Sequence, residues 1–545
     1  MSVRESDGRV GLPCPLAELT ARRWDAVVVG GGHNGLTAAA YLARAGRAVL
    51  VLERRGQLGG ACTLDRPFPD ERYLISPCAY LVGLLHPLVV EELGLRRLGF
   101  RVHRVDPHLW CPFDDGTALA LWDDDDASAS AVAAVSPGDV AGFLAYQRLF
   151  ARIREALRRP DQDVWLGASP DRDGLEERLG HDAEAVDVLF HASIAEVVER
   201  HVRDGRLRTA LHGQGIVGTW AGPRDPGTAA IHAMHSLGTT EGRGGAWGYV
   251  HGGMGQVSFA LADAAVEAGA VIASGVEVTA IVPGEGVELE GGDRISAAAV
   301  VSNADPRRTL ALCRGEVPDS FARRVEAWRM EGPVVKLNCA LSRLPRFTAA
   351  TPEGPSPYRA MVTICGGIDE TQEGYQASRA GEPAPVWCEL YFQTAYDPSV
   401  APPGRHVMSV FAQYAPYRLA RGSWEERREE VGDAIVARIR RFAPDVAEVI
   451  EHRQVLGPPD LEHTVGLSGG HIFQGECLPD QMWDRRFSPR TPVPGLYLCG
   501  AATHPGGSVM AVNGRNAAMA VLSDLSGLSG RGSPGPTPVE QDHAS

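Results

Sequence analysis

Lysine is nearly missing from this chain: Lys and Arg total 53, and a single lysine, Lys336, leaves 52 arginines. Arginine is the default cation here, so the one position that takes lysine suits a slim amine able to give up its proton. Positive charge is short overall, and a net charge of −15 excludes a nucleic-acid partner, whose phosphates need a basic face. The ten cysteines include no CxxC pair, and the seventeen histidines form no HExxH or mixed Cys/His ligand set. Dithiol chemistry and a metal site both drop out. The cysteines are expected as reduced thiols in a cytoplasmic protein. No run of about 18 apolar residues occurs, so no membrane-spanning helix is expected. Arg4, Glu5, Asp7 and Arg9 interrupt any charged-then-apolar leader pattern.

What is present is concentrated near the start. Ala26-Val27-Val28-Val29 runs into GGGHNG (30–35), then an alanine-rich stretch, then Val49-Leu50-Val51-Leu52-Glu53. This reads as strand, glycine turn, helix, second strand and terminal acid, the dinucleotide fingerprint in its full setting. Gly30 permits the turn, Gly32 admits a pyrophosphate close to the backbone, and Gly35 lets the helix lie on the sheet. Glu53 ends its strand where a carboxylate accepts from ribose hydroxyls. Arg54 follows, and a second glycine pair, Gly59-Gly60 before Ala61, suits the passage of a long, extended dinucleotide. Far downstream, 495–500 reads as a buried strand and 503–522 as a glycine turn entering a helix, either an ordinary strand-turn-helix corner or a second helix N-terminus able to favour negative charge on a ligand.

The order GGGHNG, Glu53, Gly59-Gly60, then Gly252-Gly253-Met254-Gly255, then PGLYLCG (494–500) with HPGG (504–507) resembles the phytoene-desaturase superfamily of FAD-dependent oxidoreductases. Within it the chain is similar to the phytoene dehydrogenase-related branch, also called pyridine nucleotide-disulphide oxidoreductase domain 2-like, over roughly residues 24 to 525. Cys62 stands alone where disulphide reductases carry a cysteine pair, so the branch name does not describe an activity here. The resemblance implies an α/β fold: a Rossmann-like FAD-binding domain, discontinuous in sequence, with an α+β substrate domain. We expect a weakly ordered leader at 1–23, the FAD domain at 24–100, 250–310 and 475–525, the substrate domain at 101–249 and 311–474, and a disordered Gly/Ser/Pro-rich tail at 526–545.

The implied FAD site comprises Gly30, Gly32, Asn34, Gly35, Glu53, Arg54, Gly59, Gly60, Ala61, Val278, Gly500, Gly507, Ser508, Val509 and Met510. Ser508 stands where relatives often have a third glycine. No second GxGxxG in a strand-helix setting is present, so electrons are expected to pass from flavin to oxygen or a quinone. The expected activity is desaturation or isomerisation of a largely apolar organic substrate by hydride transfer to flavin N5, with possible peripheral membrane contact. Alternatives are an amine or amino-acid-derivative oxidase, for which a buried carboxylate or an aromatic pair flanking the ring would discriminate, and a non-catalytic flavin-binding interaction protein. Catalytic candidates are Lys336, whose counterpart in amine-oxidase relatives lies near flavin N5, then His471 with Glu476, and His504. Lys336 is equally readable as a strand-edge lysine reaching water. His212, Trp220, Trp247, Tyr249 and His251 are candidates to line a substrate cavity, though aromatic residues at that density also suit a core.

Overall fold

The apolar runs at 26–29 and 49–52 form neighbouring parallel strands, Trp24–Val29 and Val49–Glu53, with Val27 opposite Leu50. A computed structural model describes residues 2–529. In it, the other parallel strands of this sheet arrive from far along the chain. Arg294–Ser302 pairs with the first strand, placing Val300 beside Val27, and Leu496–Leu498 pairs beyond it. Val271–Ser274 closes the other edge, with Val271 opposite Leu50. Strands of a parallel sheet are covered on both faces, which is why they read as continuous apolar runs. The hairpin Val278–Val282 and Gly286–Leu289 adds antiparallel pairing to the first half of Arg294–Ser302.

Val28 and Val51 face the helix His33–Arg44, where Ala38, Ala39 and Ala40 are fully buried. These small side chains let two more helices approach, Gly255–Glu267 and Val512–Ser529. A Cβ on Gly514 would stand 2.1 Å from the Asn34 carbonyl oxygen, so glycine is required at that crossing.

The second seven-stranded sheet runs in the order Ile450–Leu456, Val334–Leu341, His406–Gln413, Trp387–Tyr391, Val362–Cys365, Leu109–Pro112, Ala118–Leu121. Its pairing is antiparallel except where Val362–Cys365 meets Leu109–Pro112. Side chains alternate between its faces. Val335, Leu337, Cys339 and Val410 press on the helix Trp424–Arg440 through Ile435 and Ile439. Val334, Lys336, Phe411 and Tyr391 face a cavity shared with the nucleotide turn. A helical layer that includes Val140–Leu157, Ile194–His201 and Ala229–Ser236 packs through Phe143, Ile153, Val198 and Met234, and reaches Phe473 and Met510. The architecture is the expected one: an α/β fold with a Rossmann-like sheet gathered from separate stretches, beside an α+β part.

Residues 2–23 depart from the expected weakly ordered leader. Val3 is buried and its amide donates to Asp263 Oδ1 at 2.6 Å, Arg4 Nε donates to Gln256 Oε1 at 2.8 Å, and Leu58 N donates to the Gly8 carbonyl at 3.0 Å. A short helix, Leu16–Ala21, follows. The segment is fixed by single hydrogen bonds to distant partners, which leave no periodicity in the sequence. The tail expected to be disordered lies outside the described residues, apart from 526–529, which end the last helix. No helix among the described residues is long and apolar enough to cross a membrane, and all ten cysteines are free.

Candidate active site

The first strand ends at Gly30, whose φ of +101° suits glycine, and whose amide donates to the Leu52 carbonyl at 2.8 Å. Gly32 caps the helix His33–Arg44 without a capping side chain, leaving the first-turn amides open to an anion. A Cβ on Gly32 would lie 2.6 Å from Asn303 Nδ2, and one on Gly35 would lie 2.2 Å from the Gly30 carbonyl oxygen. Gly35 therefore serves helix-to-sheet packing and does not line the cavity. Glu53 is buried, with Oε2 accepting from Gly31 N at 2.8 Å and Oε1 from Arg55 N at 2.9 Å. Each oxygen keeps a lone pair for a ribose hydroxyl. Buried Asn34 Oδ1 and His33 Nε2 have no protein partner, as befits atoms beside a polar ligand.

A cavity of about 440 Å³ runs from Arg54, Val276, Val278 and Arg308, past the glycine turn, to Ser508 and the face of the second sheet. Gly30, Gly32, Asn34, Glu53, Arg54, Gly59, Gly60, Ala61, Val278, Ser508 and Val509 line it. Gly500, Gly507 and Met510 do not. A Cβ on Gly500 would meet Gln474 Oε1 at 2.6 Å and one on Gly507 would meet Phe473 at 2.3 Å, so both glycines serve close packing. The Met510 side chain is buried in the helical layer, and its carbonyl accepts from His86 N at 3.1 Å.

His33 joins the two ends of the site. Burial lowers its pKa to about 4 against a hydrogen bond to the Ser508 backbone, so the ring is neutral at ordinary pH. Ser508 itself has φ +90°, a conformation that favours glycine. His33, Asn303 and Arg308 also line the cavity but went unread in the sequence. For Asn303 a signal existed: it is the first polar residue after a buried strand, at the carboxyl end where parallel sheets bind ligands.

On the second sheet, Lys336, Phe411 and Glu389 stand in one cross-strand row, Lys336 opposite Phe411 and Phe411 opposite Glu389. Lys336 is 2 % exposed on a strand paired on both sides, which removes the reading of an edge lysine reaching water. Its Nζ donates to Ser409 Oγ at 2.6 Å and lies 3.8 Å from the Tyr80 ring centroid. Burial lowers the amine to about 7, with the Cys78 thiol opposing. Glu389 accepts from the Tyr391 hydroxyl and from Gln214 Nε2, the latter at 2.8 Å. Burial raises its pKa, and those two hydrogen bonds oppose the rise.

The remaining candidates sit elsewhere. His471 Nε2 lies 3.5 Å from Glu476 Oε1, and both are buried off the cavity. Burial works to raise Glu476, but His471, the Thr219 hydroxyl and the Trp220 amide hold it below the usual value. His504 Nε2 donates to the Val164 carbonyl at 2.7 Å, and burial brings the ring to about 4, so it fastens the turn. His212 is spent on the Arg208 carbonyl at 3.1 Å and Thr371 Oγ1 at 3.0 Å. Trp220 is half-buried and packs against an aromatic cluster that includes Tyr414 and Tyr375. His251 is 3.4 Å from Asp397 near the surface, and Tyr249 faces a separate small cavity. Of the five expected substrate residues only Trp247 lines the main cavity, next to His235. Cys62 donates to the Met254 carbonyl at 3.2 Å, and burial lifts its thiol to about 12, so it is no thiolate nucleophile.

Residues 35–522 match the family described as flavin containing amine oxidoreductase. The chain is 34% identical to pyridine nucleotide-disulfide oxidoreductase domain-containing protein 2 of Mus musculus, over 93% of this chain and 94% of that protein. It is 25% identical to a lycopene-forming phytoene desaturase of Pseudescherichia vulneris, over 92% and 99% of the two chains. A triple mutant of putrescine oxidase shares the fold at a TM-score of 0.58 and 17% identity, covering 92% of this chain and 99% of that one. With the nucleotide turn, the open helix N-terminus and the long cavity in place, the chain belongs to the flavin containing amine oxidoreductase family, among its phytoene-desaturase-like members, and is an FAD-dependent oxidoreductase.

Proposed function

We propose that the protein dehydrogenates a largely apolar organic substrate, with desaturation as the net reaction and isomerisation as its redox-neutral variant. The observation that carries this reading is the wall opposite the nucleotide turn, where Leu81, Val217, Val334, Met361, Phe411 and Ile472 face the cavity. Such a wall binds by excluding water and offers little to a polar substrate. The curated relative named as a phytoene desaturase supports the same chemistry.

In this reading Glu53 holds the adenosine ribose, the amides at the start of His33–Arg44 hold the pyrophosphate, and Gly59 to Ala61 flank the extended cofactor. Ser508 and Val509 border the ring end. Bound there, FAD would supply a two-electron oxidant. The chain's own part is to orient the substrate C–H bond, keep the site dry, and manage charge. Lys336 titrates near neutrality and places a positive charge on the wall where negative charge gathers during oxidation. Oxygen or a quinone is the proposed electron acceptor, and the source of an apolar substrate favours transient contact with a membrane surface.

Oxidation of an amine is the second reading, and Glu389 favours it as a buried carboxylate on the cavity wall. Two observations weigh against it. The Tyr80 and Tyr391 rings pack on one another with centroids 4.3 Å apart, so no amine passes between them. Lys336 shares the same wall and opposes a second cation.

Anaerobic mixing of the holoprotein with polyenes, smaller apolar alkenes and amines tests the proposal. Bleaching of the flavin band by an alkene, with recolouring in air, supports dehydrogenation with oxygen as acceptor. Bleaching by amines alone overturns it.

A further inference from the structure

We infer that Glu389 is the proton acceptor of this site, taking at Oε1 the proton that an apolar substrate loses when a saturated C–C bond becomes C=C. The inference rests on the dehydrogenase reading above. Glu389 is 4 % exposed on an interior strand, faces the cavity, and has no ion-pair partner among the described residues. A buried carboxylate without a counter-ion is costly, and a fold has no structural need for one against an apolar pocket. Its hydrogen bonds orient it without consuming it. The Tyr391 hydroxyl donates to Oε2 and the neutral Gln214 amide donates to Oε1, leaving each oxygen a free lone pair.

Lys336 is the obvious competitor for this role, since it lines the same cavity. Its direct contacts suit the ammonium form, with Nζ donating to Ser409 and lying over the Tyr80 π-face, against a burial that lowers the amine to about 7. The wall thus separates one group suited to carry a proton from one suited to receive it, two residue positions apart along the Lys336–Phe411–Glu389 row.

The balance is as follows. One substrate C–H bond breaks with its electron pair leaving as hydride to the flavin oxidant, and the carbon left behind is electron-poor. The adjacent C–H bond then breaks, its pair becomes the π bond, and its proton goes to Glu389 Oε1. Removal of hydride makes that second C–H acidic enough for a carboxylate to suffice. The carboxylic acid returns its proton to water after product leaves. The titratable groups facing Glu389 are Tyr391 on its own strand, Tyr80 packed on Tyr391, and Lys336 across the sheet, while Thr363 and Gln214 on the neighbouring elements are uncharged.

The test uses Glu389→Gln and Tyr391→Phe holoproteins, each checked for an unchanged flavin spectrum. With an alkene that bleaches the wild-type flavin, Glu389→Gln is expected to slow bleaching by about 10²- to 10⁴-fold while leaving substrate affinity within a few-fold. Tyr391→Phe removes a donor to the ionised carboxylate, so the rising limb of the rate against pH moves to higher pH. Difference infrared titration of the apoprotein gives a readout independent of turnover: a carboxyl signal that Glu389→Gln removes and Tyr391→Phe moves upward in pH. Wild-type bleaching undiminished in Glu389→Gln overturns the inference and leaves the dehydrogenase reading standing. An affinity loss for amines in Glu389→Gln, with no alkene active on the wild type, overturns both, because the carboxylate then anchors a cation.

Discussion

Replacing Lys336 by methionine should stabilise the protein at neutral pH and below while impairing its chemistry. The side chain is buried and paired with a neutral hydroxyl, so burial lowers the amine from 10.5 to about 7. In the unfolded chain the amine titrates near its ordinary value, and between those two pH values the unfolded state binds the extra proton. Stability therefore rises with pH through this window. Below about 7 both states are protonated and the folded state carries the full cost of a buried ammonium. Above 10.5 both are neutral and the cost is gone. At about 1.4 kcal/mol per pH unit the gap amounts to roughly 5 kcal/mol as an upper limit. Methionine has similar length and no charge, so Lys336→Met recovers much of that below pH 7, on the order of 2 to 5 kcal/mol. The assay is the thermal midpoint of wild-type and variant apoproteins from pH 6 to pH 10. The gap should be widest at pH 6 and close as pH rises. A gap that is absent, or constant across the range, refutes the reasoning. On the same account, flavin reduction by substrate should slow in the variant.

Three further outcomes follow from the nucleotide end. Glu53→Gln removes the negative charge shared by ribose and the two backbone amides, so FAD affinity should fall about 10- to 100-fold. Equilibrium dialysis of the apoprotein measures this, and unchanged retention sinks the ribose role. Gly32→Ala places a Cβ 2.6 Å from Asn303 Nδ2, beside the path of the pyrophosphate. FAD binding should weaken at least tenfold with the far-ultraviolet circular dichroism unaltered, and retained binding would contradict the close approach. Ser508→Gly relieves a non-glycine residue at φ +90°, worth about 1 kcal/mol. The thermal midpoint should rise slightly with FAD still bound, whereas a fall would mean that the serine hydroxyl contributes more than its backbone costs.

What could be read in advance was local. The strand, glycine turn, helix, strand and acid lie within thirty residues, and each step uses a short-range rule, so the α/β fold and its cofactor were legible. Lys336 was legible from composition alone. The row that includes Phe411 and Glu389 was not, because 387–391 reads as a strand with one carboxylate among apolar residues, and the face that carboxylate takes depends on register with a strand twenty residues on. Aromatic density was a poor guide to the cavity. Tyr249 is core, Trp220 packs half-buried against the same cluster, and His212 joins two helices through Thr371, because large rings fill any interior equally well. The opening segment escaped notice for the converse reason: Val3 and Arg4 are held by Asp263 and Gln256, and nothing in residues 2–23 announces such distant partners.

The parallel sheet takes its adjoining strands from residues near 27, 300 and 497, so its closing strand is synthesised long after the strands it joins. Until then the edge at Val300–Ser302 is unpaired, and the wall formed by Ser508 and Val509 does not exist. Such long-range pairing makes folding slow and leaves sheet edges exposed to wrong partners while synthesis proceeds. The ring end of the cofactor site therefore has no wall until residues 508–509 are made and folded, which sets cofactor capture late in the protein's assembly.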